Sequence, residues 1–432
     1  MGKSTVAAAQ AVAAAEDGDR VLAVSLDQAH SLYDVFGCDG SGAHAGAEME
    51  IAFGGTGASS GAVAGKGGPD KGSADRGTLE VLELDTLALA EERWKALTRL
   101  MAIGGVDPQD GELFSDELTV VPGVQEMLGL AAVADRVAQR RWDRVVVDCG
   151  PTAETLRQFG LPTAVSSYLE RMWPRHRRLG QPPTSGRMIA AVGLAEQVDA
   201  LATRLSALLG DTARTSLRVV TSPEQVALAE ARRAVTAFAL LGLPPEAIVV
   251  NRVVGGFGTA GSADAAGAAG EHDDDSRRRE RAADHNEALS SFLREVVDVP
   301  VVCLPFHAAE PIGPARLSVL AAELRTMPAR TARGDAAPGG GGSASNRGGG
   351  SVTHESGTGP DSVYVLGLEL PLVDPMHLTL GRVGDDLIIG AVGVRHRVRL
   401  APVLRRCTVR DATVDDGRLQ VRFTPDPEVW PL

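Results

Sequence analysis

Met1-Gly2-Lys3-Ser4-Thr5-Val6-Ala7-Ala8-Ala9 is the stretch that decides the fold. Gly-Lys, two hydroxyl residues and an alanine-rich run match the back of a phosphate-binding loop, G-x-x-x-x-G-K-[ST], as it passes into a helix. A helix N-terminus offers unpaired N–H groups and the positive end of its dipole to a phosphate. Lysine adds a charge that reaches the β- and γ-phosphates of a nucleotide, and the serine hydroxyl can ligate Mg²⁺. The front of the loop and the strand that carries it do not stand before Met1. The expectation is therefore a loop truncated by an internal methionine taken as the start, with nucleotide turnover impaired.

Four residues are a weak motif, and their neighbours strengthen it. A helix is predicted over 5–15, stopped by Gly18, and a buried strand over 20–26. That strand runs into Asp27, at the carboxyl edge of a sheet, where ligands bind in open α/β folds. Asp27 there can orient or deprotonate an attacking water, or serve only as a turn or N-cap residue. A second apolar run, Arg144-Val145-Val146-Val147-Asp148, ends in an aspartate placed to hold Mg²⁺ through water. The Gly150-Pro151-Thr152 turn after it can respond to a γ-phosphate.

Further strands are predicted over 80–85, 216–221, 247–251 and 301–304, with a helix over 224–241. Short apolar strands separated by helices indicate a doubly wound, mostly parallel α/β sheet. Two stretches, 87–138 and 165–209, carry Leu and Ala at helical spacing and read as a helical subdomain. Segments 54–77 and 255–284 read as disordered insertions, and 329–360 as a flexible linker, because their Gly, Ala, Ser and charged content cannot offset chain entropy. From 361 to 432 the pattern changes to period two, and six short strands predict an all-β sandwich. The domain division is thus 1–328, a linker over 329–360, and 361–432.

Bulk properties narrow the function. The net charge of −13 over 432 residues argues against nucleic acid as a partner. No apolar run reaches the ~18 residues of a transmembrane segment. The 4 cysteines are dispersed without a C-x-x-C pair, which fits unrelated thiols in a reducing cytoplasm. Arg171, Arg175, Arg177 and Arg178 cluster about Trp173-Pro174. They form either a solvated helix end or a contact for a client or anionic lipid.

Together, 25–36 and 143–162 resemble the switch I and switch II signatures of ArsA-type ATPases. That family includes arsenical-pump-driving ATPases and targeting factors for tail-anchored membrane proteins. Pro122-Gly123-Val124-Gln125-Glu126, Val219–Glu224, Val249-Val250-Asn251-Arg252 and 304–313 resemble further family segments, so the likeness spans about 1–325. It implies an ATP- and Mg²⁺-dependent ATPase. Gly2, Lys3, Ser4 and Thr5 would lie on phosphate, Ser4 and Asp148 on the metal, Asp27 at the hydrolytic water and Asn251 at the adenine edge. It also implies a homodimer that handles a protein client or membrane-protein partner. Three departures stand out. The family's early lysine has no counterpart, Gln28 replaces proline in D-P-A-H, and Ala153-Glu154 replaces Gly-His. Clustered arsenite-binding cysteines are absent, so arsenite transport is not implied. Residues 364–371, 384–389, 395–402 and 417–419 resemble the small-heat-shock (α-crystallin-like) domain of some bacterial ArsA-type proteins. The rival reading is a non-hydrolysing client-binding or scaffold protein acting through that β domain.

Overall fold

The structure is a computed structural model, and it describes residues 2–27, 31–38, 49–51, 77–86, 88–89, 91, 123–180, 186–254, 272–296, 299–325 and 350–430. The chain divides into two compact units. One comprises Gly2–Leu209 with Ala309–Thr326, and the other comprises Gly210–Ala308 with Met327–Leu432 apart from the first residue.

The first unit is built on helix α1 (Lys3–Glu16) and a sheet in the order β2-β3-β1-β4. Its strands are β1 (Arg20–Ser25), β2 (Met49–Ile51), β3 (Thr78–Glu83) and β4 (Arg144–Asp148). β1 runs parallel to both β3 and β4, whereas β2 is antiparallel to β3. Val21–Val24 are fully buried at the centre of the sheet. Ala8, Ala9, Ala11, Ala14 and Ala15 are buried along α1, and their small side chains let it lie close to the sheet and to helix α9 (Pro314–Leu324). Arg325 closes that contact with ion pairs to Glu16 and Asp17. Helix α2 (Ser31–Phe36) follows β1.

The helical part of this unit contains α3 (Val124–Gln139), α4 (Thr152–Met172), α5 (Arg175–Leu179) and α6 (Gly186–Leu209). Residues 92–122 of the expected helical stretch 87–138 lie outside the described residues, as does 54–76. The Gly-x-x-Glu spacing before α3 has a structural cause. Gly123 adopts φ 98°, and its N–H donates to the Glu126 carboxylate at 3.0 Å, capping the helix. The arginine cluster is neither fully solvated nor uniform. Arg178 has no exposed side-chain surface and faces Glu196, Asp199 and Glu170 at 3.3–3.7 Å, bracing α4 and α6. Its neighbours Arg171, Arg175 and Arg177 are exposed, as a helix end predicts.

The second unit holds a parallel sheet, β5 (Arg218–Thr221), β6 (Ala247–Val253) and β7 (Val301–Pro305), with helices α7 (Gln225–Leu240) and α8 (His272–Glu295). Helix α8 corrects the disordered reading of 255–284 over its second half. The segment's acidic triplet precedes its arginine triplet by four residues, Asp273 to Arg277 onward, and this acid-before-base spacing favours a helix.

The C-terminal β domain comprises β8 (Ser351–Ser356), β9 (Val363–Glu369), β10 (Thr379–Val383), β11 (Asp386–Ala391), β12 (Val394–Arg399), helix α10 (Pro402–Arg405), β13 (Cys407–Asp415) and β14 (Arg418–Pro425). Two antiparallel sheets, β10-β11-β12 and β13-β14-β9-β8, enclose one apolar core that includes Leu366, Leu368, Leu387, Ile389, Val398, Val421 and Phe423. Alternation along β14 is complete, with Leu419, Val421, Phe423 and Pro425 turned inward. β8 corrects the linker reading of 329–360. Its side chains are mostly exposed, so no apolar alternation announces it, and backbone pairing with β9 makes it a strand.

Helix α7 takes part in that core. Ala239 and Leu240 are buried in it, and Thr236 Oγ1 donates to the Pro371 carbonyl at 3.0 Å. The β domain is therefore docked on a helix of the preceding α/β segment. Leu240→Ala is expected to cost about 2–5 kcal/mol through lost burial and a cavity. Amide exchange in β11 and β12 should accelerate. Unchanged protection there would show that the docking contributes no stability.

Candidate nucleotide site

The parallel register of the first unit sets the site. Ser25 pairs with Glu83 on one side and with Asp148 on the other, so three strands end in one row at the carboxyl edge of the sheet. Asp27 lies two residues beyond, where its N–H donates to Ser25 Oγ at 3.2 Å and turns the chain out of β1. The N-terminus of α1 reaches this edge. Gly2 adopts φ 79°, a left-handed conformation that a residue with a side chain takes only at a cost. The first helical hydrogen bond runs from Val6 N–H to the Gly2 carbonyl, which leaves the earlier N–H groups at the helix end.

Asp148 is the electrostatic centre. It is 2% exposed, and burial pushes its carboxyl up to about 6. A hydrogen bond from Ser4 and the Lys3 charge oppose that rise, while the negative charges of Asp27 and Glu83 add to it. Asp148 Oδ2 is buried with no hydrogen-bond partner. Ser4 Oγ also lies 2.7 Å from Ser31 Oγ at the start of α2. Lys3, Ser4, Asp27 and Asp148 are thus brought together at one edge of the sheet. Thr5 occupies the next position of the same helical turn. Burial pushes the neighbouring Cys149 thiol up to about 12, which keeps it protonated and poorly nucleophilic.

Two further carboxylates belong to this edge. Glu83 is buried beside Ser25, and Glu154, in the first turn of α4, places an oxygen over Gly150 close to Asp27. Sequence reading passed over Glu83, although a carboxylate inside Val81-Leu82-Glu83-Leu84 is itself a signal. Residues 28–30 of the switch I signature lie outside the described residues. Asn251 belongs to the second unit. It is buried on β6, and its Oδ1 accepts the Arg252 N–H at 3.0 Å.

The residues present suit a magnesium nucleotide. An unpartnered buried carboxylate oxygen, a serine hydroxyl, a lysine and free helix N–H groups provide ligands for a cation and for phosphate at one place. Among the described residues no group of three or more His, Cys, Asp or Glu side chains could hold a metal by itself. Phosphate oxygens and water would therefore complete the ion's shell. Among the described residues no helix is long and apolar enough to cross a membrane.

Comparison with known proteins agrees with this geometry. A family model described as anion-transporting ATPase matches residues 1–53 and 73–326, and one described as an HSP20-like domain found in ArsA matches 361–423. The Mycobacterium tuberculosis protein Rv2184c is 41% identical over 431 residues, covering 100% of this chain and 95% of its own. Putative arsenical pump-driving ATPase 1 of Aquifex aeolicus is 29% identical over 263 residues, 59% of this chain and 61% of its own. ATPase GET3B of Arabidopsis thaliana is 24% identical over 279 residues, 59% of this chain and 62% of its own.

Proposed function

The chain belongs to the anion-transporting (ArsA-type) ATPase family and carries that family's HSP20-like domain, and on this premise we propose that it couples Mg²⁺-dependent ATP hydrolysis to the handling of an apolar protein client. The convergence of Lys3, Ser4, Asp27 and Asp148 on one sheet edge carries the reading.

In this scheme Lys3 and the N–H groups of Gly2–Thr5 bind the phosphates. Ser4 and Asp148 would hold Mg²⁺, Asp148 by way of water. When bound, Mg²⁺ would supply positive charge against the phosphoryl oxygens. Asp27, outside the metal's ligands, orients the attacking water and accepts its proton. Asn251 reads the adenine edge. Little covalent chemistry is asked of the protein, because phosphoryl transfer is accelerated mainly by positioning and charge stabilisation. We further propose that the chain works as a homodimer in the cytoplasm, where its four free cysteines stay reduced.

The helical region supports the client. Tyr168 and Met172, one turn apart on α4, are 61% and 68% exposed, and Met188 and Ile189 near the start of α6 are 44% and 58% exposed. Clustered exposed apolar side chains mark interaction surfaces. The test is phosphate release from Mg²⁺-ATP with and without an apolar helical peptide. Turnover is expected, and the peptide should change its rate in the wild type but not in Tyr168→Ser/Met172→Ser. Absence of any turnover, with peptide binding retained by the β domain, would instead favour a non-hydrolysing binding protein.

A further inference from the structure

We infer that Glu154 is a second catalytic acceptor for the hydrolytic water, holding it jointly with Asp27 beside Gly150. This rests on the function proposed above and deepens it. Glu154 stands third in α4, the position from which a glutamate ordinarily reaches back to the N–H of the N-cap residue. The N-cap here is Pro151, which has no N–H to offer. Glu154 is half-buried and makes no hydrogen bond or ion pair among the described residues. Its carboxylate turns toward Gly150 instead. A side chain on Gly150 would begin 3.6 Å from Glu154 Oε2 and 4.0 Å from the carboxyl carbon of Asp27. Two carboxylates from different elements thus face one small space, which a glycine leaves open. Asp148 Oδ2, buried without a partner at the end of the same strand, independently marks this edge as one that receives a ligand.

Both carboxylates are held against that strand end. Leu26 N–H donates to the Asp148 carbonyl at 2.9 Å, which ties the exit of β1, and with it Asp27, to the end of β4. Thr155, 4% exposed, donates its hydroxyl to the Gly150 carbonyl at 3.2 Å and its N–H to the Pro151 carbonyl at 2.9 Å. These bonds fix the first turn of α4 on the other side. A water donates two hydrogen bonds, and a single acceptor leaves it free to turn about that one bond. Asp27 and Glu154 together take both hydrogens, so a lone pair of the oxygen is left facing phosphorus. Orientation of this kind is what makes an attack effectively intramolecular. Of the neighbouring carboxylates, Glu83 is engaged by the Tyr33 N–H at 2.9 Å, and Asp148 by Ser4 and the proposed metal. In the step, the water oxygen bonds to phosphorus and Asp27 takes one proton. The other proton stays on that oxygen, hydrogen-bonded to Glu154. The bond from phosphorus to the bridging oxygen breaks, and its electron pair leaves with ADP.

The experiment compares Glu154→Met, Glu154→Gln, Gly150→Ala and Asp27→Asn with wild type. It measures kcat and KM for ATP, and it titrates ADP with and without aluminium fluoride. ADP with fluoroaluminate imitates the transition state, so its extra affinity over ADP reads the water's acceptors without turnover. Loss of the acceptor in Glu154→Met should lower kcat about 10–100-fold, weaken the fluoroaluminate tightening about as much and leave ADP affinity within about 3-fold. Glutamine keeps an oxygen at similar reach and should return kcat to within about 5-fold of wild type. Gly150→Ala should fold, because the backbone there is not left-handed and a methyl meets its neighbours at ordinary contact distance. That methyl fills the space and should slow turnover as far as methionine does. Because one water is shared, Asp27→Asn/Glu154→Met should be at most about 3-fold slower than Asp27→Asn alone. Losses that multiply would mark Glu154 as structural and overturn the inference. A Glu154→Met variant whose kcat or tightening stays within about twofold of wild type would also overturn it. A wild type without turnover, or Asp27→Asn at the wild-type rate, sinks the proposed mechanism itself. Turnover that needs Asp27 but not Glu154 sinks only the role of Glu154.

Discussion

Asp27→Asn is expected to lower ATP turnover by roughly 10²–10⁴-fold, the usual contribution of a positioned general base. Nucleotide affinity should stay within a few-fold of wild type. The split follows from the site's layout. Asp27 leaves the sheet beside Ser25 and acts electrostatically on Asp148. It is not part of the α1 N-terminus proposed to bind phosphate. Asparagine preserves size and the backbone hydrogen bond to Ser25, but it cannot take a proton. Single-turnover phosphate release and titration with a fluorescent nucleotide measure the two quantities separately. Turnover within threefold of wild type would remove Asp27 from the mechanism. A parallel loss of affinity would place it among the phosphate or metal ligands instead.

Asp148→Asn is expected to stabilise the metal- and nucleotide-free protein while abolishing its activity. The carboxyl is raised from 3.8 to about 6, mainly by burial. A folded-state value above the unfolded one means that the folded protein binds the extra proton between those limits. Stability is therefore fully present below pH 4 and is lost as pH rises through about 6. Above that pH the buried charge costs about 1–3 kcal/mol, given 1.36 kcal/mol per unit. Asparagine removes this cost, so the variant should melt higher at pH 7.5 and match wild type at pH 4. It also removes the anionic oxygen proposed to hold the metal, and Mg²⁺-dependent turnover should fall at least 100-fold. Thermal melts at both pH values check the first part, and phosphate release checks the second. A variant less stable than wild type at pH 7.5 would show that Asp148 is satisfied without a cation. Activity gained at the expense of stability is usual for such sites.

Much of this site is written locally. Lys3, Ser4, Asp27 and Asp148 are legible because each stands at the end of a helix or of an apolar strand. In an open parallel sheet, strand ends gather at one edge. Glu83 shows where local reading stops. Its neighbours Leu82 and Leu84 mark it only as a carboxylate within an apolar run. Its hydrogen bond to Tyr33 exists because β3 pairs beside β1 and because α2 folds back to place Tyr33 over the strand end. Leu240 is a similar case. In sequence it is one apolar residue of an amphipathic helix, and in the fold it belongs to the core of the β domain.

Errors of the sequence reading have the same origin. Ser351–Ser356 carries no apolar alternation because it is an exposed edge strand, so backbone pairing to β9 alone defines it. Residues 272–284 read as unstructured from composition, yet they lie in the helix His272–Glu295, which acid-then-base spacing supports. Composition measures how much surface can be buried, and it does not register backbone pairing or charge order.

By itself, then, the sequence determined the fold class, the all-β character of the C-terminal domain and which residues are proposed for the phosphate and metal end of the site. These follow from short-range periodicity and from residues at element ends. Only the tertiary structure decided that Ser25, Glu83 and Asp148 form one row, that Arg178 is a buried brace and that α7 carries the β domain. Each of those depends on residues far apart in the chain being brought within hydrogen-bonding or packing distance, and no local pattern encodes such a meeting.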